Sequence, residues 1–424
     1  MHTLYWTLSS DPYDATLLTI LPSTAVTLSL DFGNKYSEDS DSDDDSDNSD
    51  DEALDEDSEA TDDDTPQHLG APAKREEATT CMLRAVCSDT PRISDLTICK
   101  CMRPGPLLAS ILPALPSLRR LDLSESYPVD VATLRVLSWV ATLETLENVP
   151  IKNARVDGTF TGFPALKTLG VVGAAEETEQ LLAAVTSPLT CVAIKSRRVA
   201  MWEAGFPHME SPMFTVTTFE LDILASDPDP YDSDDTALFG REDADLAQLL
   251  TPLAAPLAQL QVLRLSFRNV KSWYGIKQLT QLAQMFPCLT HFSLAARALW
   301  SVGYPTLAAV AMFARHCPRL ETLLLPQLFI VSRDIAAIRD PFLPVQHALH
   351  TLCVLDMAQF RFEARDADSE WLGSTLAAMF PSLDVQACVE PPYSWLHIDR
   401  VRTWDDGSVP REGFGVGASD HEAP

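Results

Sequence analysis

Basic charge is scarce in this chain: 31 Lys and Arg stand against 61 Asp and Glu over 424 residues, a formal net charge of −30. The deficit is concentrated. Residues 37–64 hold seventeen Asp and Glu and no Lys or Arg, and the remainder carries 31 basic against 44 acidic residues, a balance of −13. A surface of that sign repels nucleic-acid phosphates, which are bound by clustered Lys and Arg, so DNA or RNA is not an expected ligand. Long apolar runs are missing too: no stretch of about 18 uncharged apolar residues offers a membrane span. The opening residues, MHTLYWTLSSDPYDATLLTILPS, precede the first basic residue, Lys35, and contain no clean apolar core, which argues against a secretory leader. Nine cysteines are too sparse for a disulfide scaffold. Cys191, Cys288, Cys317 and Cys353 fall in or beside predicted strands and read as reduced core thiols, which points to the cytoplasm or nucleus.

Spacings that advertise chemistry are also lacking. Cys99-x-Cys101 has no second pair nearby, and two thiols on one strand face explain it better than zinc. His347 and His350 straddle a predicted helix-to-strand turn with no carboxylate at ligand spacing. Gly413-Phe414-Gly415-Val416-Gly417 follows no strand and opens no helix, so it is not a phosphate loop. No G-x-S-x-G or P-loop motif occurs. The expectation is a protein that is not an enzyme and holds no metal or cofactor.

What is present is a repeat. The stretch from Met285 to Pro326 states Phe286-Pro287-Cys288-Leu289-Thr290-His291-Phe292-Ser293-Leu294 and restates it as His316-Cys317-Pro318-Arg319-Leu320-Glu321-Thr322-Leu323-Leu324-Leu325. Between the copies, Pro305 to Ala314 places apolar residues at helical spacing, so the unit reads strand, loop, helix. The pattern resembles the L-x-x-L-x-L of leucine-rich repeats. Further copies begin at Ile93, Leu118, Leu166, Leu189, Val216, Leu260 and Leu349, with weaker ones at Ala25, at Leu143, where Asn148 breaks the pattern, and at Leu383, where Gln386 does. A chain that is 46% hydrophobic scatters such matches by chance, but chance does not space them at 25, 25, 23 and 23 residues from Ile93 to Leu189.

The expected fold is therefore α/β: a leucine-rich-repeat solenoid of about 10–12 turns, with a curved parallel sheet and outer helices. Its divisions are an N-terminal repeat turn (1–34), a disordered acidic insertion (35–78), the solenoid (79–404) and a disordered tail (405–424). Helices are expected over residues 14–22, 84–86, 106–115, 130–140 and 176–185, and Trp395 to Ile398 reads as a capping strand. A second acidic loop, Asp227 to Asp235, lengthens the step from Val216 to Leu260 to 44 residues. Ser40, Ser42 and Ser49 each precede an acidic residue by three positions, a pattern suited to an acidophilic kinase.

In a strand of the form x-L-x-L-x the leucines point inward and the x residues line the open, concave face. That strip includes Asp95, Thr97, Arg120, Asp122, Thr168, Lys195, Glu220, Asp222, Arg264, Ser266, His291, Ser293 and Thr322. Arg120, Asp122, Glu220, Asp222, Arg264 and His291 are the candidate partner-binding residues, against the plainer reading of a solvated surface. The phrases at Phe286, His316 and, in degenerate form, Phe380 resemble the cysteine-containing repeats of F-box proteins, particularly divergent fungal ones. The resemblance implies a protein partner on the repeats and an adaptor role in ubiquitin-dependent degradation, although no recognisable F-box pattern is present. The alternative resemblance is to acidic leucine-rich nuclear proteins, in which repeats and an acidic run bind histones or other basic proteins.

Overall fold

The computed structural model describes residues 3–7, 26–32, 84, 92–101, 103–151, 161–196, 215–224, 244–268, 272–296, 305–326, 328–330, 347–354, 361–362, 376–377 and 379–384. They form an α/β fold around one open sheet of twelve strands in chain order. The strands are β1 (Thr3–Thr7), β2 (Thr27–Asp31), β3 (Asp95–Cys99), β4 (Arg120–Asp122), β5 (Thr145–Pro150) and β6 (Thr168–Val172). They continue as β7 (Cys191–Ser196), β8 (Thr218–Leu224), β9 (Val262–Arg268), β10 (His291–Ala296), β11 (Thr322–Leu325) and β12 (Thr351–Val354). Every pairing is parallel and joins neighbours in sequence. Each strand must then return to its start through a crossover, and among the described residues helices do this in six of the eleven connections: α1 (Pro104–Ile111), α2 (Val131–Ser138), α3 (Ala175–Ala184), α4 (Leu246–Leu250), α5 (Ile276–Met285) and α6 (Leu307–His316). No described helix is long and apolar enough to cross a membrane.

Alternation places the core on one face. In β8 the residues Phe219, Leu221 and Ile223 are buried while Thr218, Glu220 and Asp222 are partly open. The leucines of the repeat behave alike, and Leu323 and Leu325 are fully buried with Thr322 on the other side, as the repeat register requires. Buried faces of the helices join the same cluster: Leu134 and Leu137 from α2, Leu181 and Leu182 from α3, Leu279 and Leu282 from α5, Val310 and Phe313 from α6. Phe313 stacks on Phe292 of β10 with ring centroids 4.8 Å apart. Aspartate side chains cap two of the helices. Asp130 accepts from Thr133 N at 2.7 Å to open α2, and Asp245 accepts from Ala247 N and Gln248 N to open α4.

A ladder of shared carbonyls registers successive turns. Ser94 O accepts from Arg119 N and Arg120 N, Arg119 O from Glu144 N and Thr145 N, and Glu144 O from Lys167 N and Thr168 N, all at 2.7–3.1 Å. The same double acceptance recurs at Lys167, Thr190, Thr217, Gln261, Thr290 and Glu321. It reaches the last repeat copy, where Asp384 N donates to His350 O at 2.8 Å beside partly buried Leu383. Just before each step an apolar anchor (Leu118, Leu143, Leu166, Leu189, Leu260, Leu289, Leu320) sits in the core.

The weak copy at Leu143 turns out to be a full strand with one extra residue. Asn148 adopts φ 51°, the pairing shifts register between Leu146 and Val149, and fully buried Val149 takes the inward position that Asn148 vacates. Asn tolerates this left-handed conformation better than most residues. The bulge crowds the adjacent strand: a Cβ on Gly170 would lie 3.1 Å from Asn148 N and 3.2 Å from Glu147 Cα. Sequence patterning also missed β1, α4 and α5, and two short parallel ladders, Ala244–Asp245 with Ser272–Trp273 and Phe329–Ile330 with Arg361–Phe362. In β11 the alternation is incomplete: Leu324, between Leu323 and Leu325, is buried as well. The expected helix over residues 14–22, the segments 35–78 and 227–235, the strand at Trp395 and the tail from 405 lie outside the described residues.

Candidate binding surface

The face of the sheet opposite the helices is built in rows, because parallel strands in register bring equivalent positions side by side. One row runs Thr97, Asp122, Glu147 from β3 to β5 and, past the register shift at the Asn148 bulge, Gly170, Ala193, Glu220, Arg264, Ser293 from β6 to β10. The next row toward the strand ends contains Asp31, Cys99, Lys195, Asp222 and Ser266.

Charge on this face gathers at two places. In the first, Arg120 Nη2 donates to Glu147 Oε2 at 2.7 Å, with the arginine side chain half exposed. Burial works against the charge of Arg120, but the Glu147 hydrogen bond and carboxylate more than offset it, so the guanidinium is held still more firmly protonated. Beside it the bulge makes Asn148 a strut: its Nδ2 donates to Asp122 Oδ1 at 2.9 Å and to Ser124 Oγ at 3.1 Å, and its Oδ1 accepts from Lys195 Nζ at 3.0 Å. Ser124 Oγ donates to Asp122 Oδ1 at 2.7 Å, and Lys100 reaches Asp31 at 3.4 Å. In the second place Arg264 on β9 pairs with Glu220 on β8, and Asp222 lies in register with Lys195. Between them, β7 presents the small Ala193, while Gly170 of β6 is buried beside the backbone of Glu147 and Asn148.

Of the six residues selected from alternation, Arg120 and Asp122 belong to the first cluster and Glu220, Asp222 and Arg264 to the second. His291 stands apart on β10, in register with Val262, with its Nδ1 2.8 Å from Thr290 Oγ1. Glu147 and Asn148 were missed, since the strand carrying them was discounted for its broken pattern. The available signal was Asn148 itself, a residue suited to left-handed backbone one place before Val149 could resume the apolar series.

Three thiols, those of Cys99, Cys191 and Cys317, are disfavoured as thiolates. Burial, then the carboxylates of Asp122, Asp31 and Glu125, pushes Cys99 up to about 11. Burial pushes Cys191 to about 11 and Cys317 to about 12. His347 is a core residue: Nδ1 accepts from Leu349 N at 3.1 Å, Nε2 lies 3.0 Å from Cys317 O, and the ring meets Phe380 edge-on. Among the described residues no group of three or more His, Cys, Asp or Glu is placed to hold a metal ion. An open depression of about 530 Å³ on the helical side is lined by Arg84, Ala109, Ser110, Pro113 and Ala114, with one charged group and no acid–base pair. The arrangement that stands out is a broad, polar sheet face. A scan against family models found no match to this chain, and no curated protein matches it significantly.

Proposed function

We propose that this chain is a leucine-rich-repeat solenoid that binds a protein on the open, concave face of its sheet and performs no catalysis. One observation carries the reading: side chains stand in register across β3–β5 and again across β7–β10, with the bulge and Gly170 of β6 between them, on a face that no described helix covers. A rigid sheet presents such a row with little further ordering on association, which favours an extended protein ligand. The resemblance to F-box repeat proteins supports delivery of that ligand to a ubiquitin ligase as the downstream role. A second reading, binding of histones or other basic proteins, is favoured by the sign of the face. Asp31, Asp95, Asp122, Glu147, Glu220 and Asp222 outnumber Lys100, Arg120, Lys195 and Arg264. The test is capture of a crosslinked partner from cell extract by the unaltered chain and by Asp122→Lys and Arg264→Glu variants. Each reversal should weaken the partner by about 1 kcal/mol, the scale of a half-exposed charge pair. Ligase scaffold subunits among the captured proteins support the first role and histones the second; affinity indifferent to both reversals overturns the open-face reading.

A further inference from the structure

The outer surface of α1 and α2 departs from the charge of the rest of the chain. Residues 103–119 and 131–143 hold three arginines, Arg103, Arg119 and Arg135, and no Asp or Glu, although acidic residues outnumber basic ones about two to one overall. On α2 the buried stripe Thr133, Leu134, Leu137 and Ser138 faces the core, so Ala132, Arg135, Val136 and Trp139 share the opposite side at spacings of three and four residues. Trp139 is 80% exposed and Val136 40%. The row that holds the indole is otherwise small. Leu118, Leu143 and Leu166 donate their N–H to Leu115, Val140 and Phe163 in three successive turns, which makes the preceding residues Ala114, Trp139 and Gly162 equivalent. A Cβ on Gly162 would lie 2.5 Å from Ser138 Cβ, so that position carries no side chain beside the ring. We propose that this surface, anchored on Trp139, docks a short acidic segment of a protein partner that presents an apolar side chain beside its carboxylates. It is a second interaction surface, on the helical side, and does not depend on the open-face reading.

Charge selects this occupant over the others. Glu144, the last residue of the link from α2 to β5, is held between Lys167 at 2.7 Å and Arg119 at 3.6 Å, so the one carboxylate of the link is already matched twice. The side chains of Arg119 and Lys167 stay 69% and 60% exposed, and with Arg135 they make a positive rim on a chain of formal charge −30. A second copy bound about a two-fold axis would set arginine against arginine and indole against indole, with no carboxylate in these spans to receive the cations. The chain's own acidic run, residues 37–64, brings carboxylates but only Ala53, Leu54 and Ala60 as apolar side chains for the indole. An acidic segment with a large apolar residue answers both the rim and the ring. Trp beside Arg is also the composition that carries much of the energy of protein interfaces. The support under the ring is firm: Trp139 N donates to Val136 O, and Thr142 Oγ1 in the same link donates to Leu118 O at 2.7 Å, which ties the link to the preceding turn. The ring is thus presented without the cost of ordering a loop.

The test measures fluorescence anisotropy of labelled peptides with the full chain at physiological salt, and sedimentation of the chain alone. One peptide interleaves glutamates with leucine and phenylalanine. A second replaces its glutamates by glutamine, a third replaces its apolar residues by serine, and a fourth is residues 37–64. The first should bind at least about fivefold tighter than any other. Trp139→Ala should weaken it about tenfold, as loss of a central aromatic does, and Arg135→Gln about two- to fivefold, the size of an exposed ion pair. Both side chains are exposed, so these variants keep the fold. Asp122→Lys on the open face should leave this binding unchanged. No binding of the first peptide, equal binding of the second or third, or affinity indifferent to both variants overturns the proposal. Equal or tighter binding of the 37–64 peptide assigns the surface to the chain's own acidic run, and a dimer that Trp139→Ala dissolves assigns it to a second copy; either result also overturns it. Binding lost on Asp122→Lys but not on Trp139→Ala moves the peptide to the open face and ends the proposal while leaving the open-face reading standing.

Discussion

The two edges of the sheet are built differently. From helix to strand the connection is the more constant: five residues separate α5 from β10 and α6 from β11, six separate α2 from β5 and α3 from β7, eight separate α1 from β4 and eleven separate α4 from β9. From strand to helix it ranges from two residues between β6 and α3 to ten between β10 and α6 and twenty-one between β8 and α4. The constant edge carries the shared-carbonyl ladder and the buried apolar anchors, so an inserted residue would break two backbone bonds and displace a core leucine. At the variable edge the described residues are joined by single bonds between neighbouring turns, such as Lys100 N to Ser124 O, Ile151 N to Val172 O and Gly173 N to Lys195 O, and by the two short pairings of two residues each. Length there costs only loop-closure entropy, which grows slowly. Repetition is thus enforced more strictly at one edge than at the other, and insertions collect where single bonds, not shared carbonyls, register the turns.

The sharpest way to break that contrast is at the constant edge. Leu323 lies at 0% exposure one residue past the ladder step at Glu321 and Thr322. Leu323→Ala should cost about 2–5 kcal/mol, as other fully buried leucines do. Urea unfolding measures it, and an unchanged midpoint would mean that neighbouring turns do not share this core.

Next in size is the bulge, the one place on β3–β12 where an extra residue is admitted inside a strand. Asn148→Ala puts a residue that avoids left-handed backbone at φ 51° and deletes the bonds to Asp122, Ser124 and Lys195. A loss of about 1–3 kcal/mol is expected. Asn148→Gly restores the conformation without the bonds, so its recovery relative to alanine separates strain from hydrogen bonding. If alanine is tolerated as well as asparagine, the bulge is not fixed by this side chain.

These two sites mark what could be read from the sequence. Leu323 announced itself through L-x-x-L-x-L because burial of alternate residues against a helix leaves a periodic trace, and helices such as α3 and α6 were legible for the same reason. The residues over 145–150 were not, since a bulge changes the phase within one strand and a fixed template scores that as failure. That failure then hid Glu147, half of the first charged cluster, while Arg120 and Asp122 on the regular strand before it were found. α5 was overlooked although Leu279, Leu282 and Ala283 share a buried face with polar residues opposite, so its helical trace is at least as clear as that of α3. The pairing of Arg264 with Glu220 depends on which strands are neighbours and in what register, information that no local pattern contains.

A smaller effect, set by pH, probes the constant edge near its end. His347 is 3% exposed, and burial holds its imidazole below the ordinary value of 6.5 against the opposing hydrogen bond to Cys317 O. Because the folded-state pKa is depressed, the unfolded chain binds the proton more readily. The contribution is complete above about pH 6.5 and is lost as pH falls through the folded-state value. Protonation also removes the Nδ1 lone pair that receives Leu349 N. The urea midpoint should therefore fall between pH 7 and pH 5 more steeply in the unaltered chain than in a His347→Gln variant. Parallel pH profiles would show that this ring titrates without consequence for folding.

The smallest effect is expected at the variable edge, from deleting residues 37–64. Phe32 and Arg92 bound this connection, and on both flanks the backbone is already registered: Phe32 N donates to Cys99 O, and Ser94 N and Asp95 N donate to Val26 O. Shortening the link leaves those bonds in place, and closure entropy changes only with the logarithm of length. Far-ultraviolet circular dichroism and the cooperativity of melting should be unchanged, with stability within about 0.5 kcal/mol of the full chain. The sign of any residual follows from charge. Removing seventeen acidic residues takes the formal charge from −30 to −13 and relieves self-repulsion, so the deletion should be slightly more stable at low salt. The gain should vanish once salt shortens the screening length to a few ångströms. A lost melting transition, or a destabilisation that salt does not alter, would show that this segment contributes to the packed structure and that the two edges are not as different as their connection lengths imply.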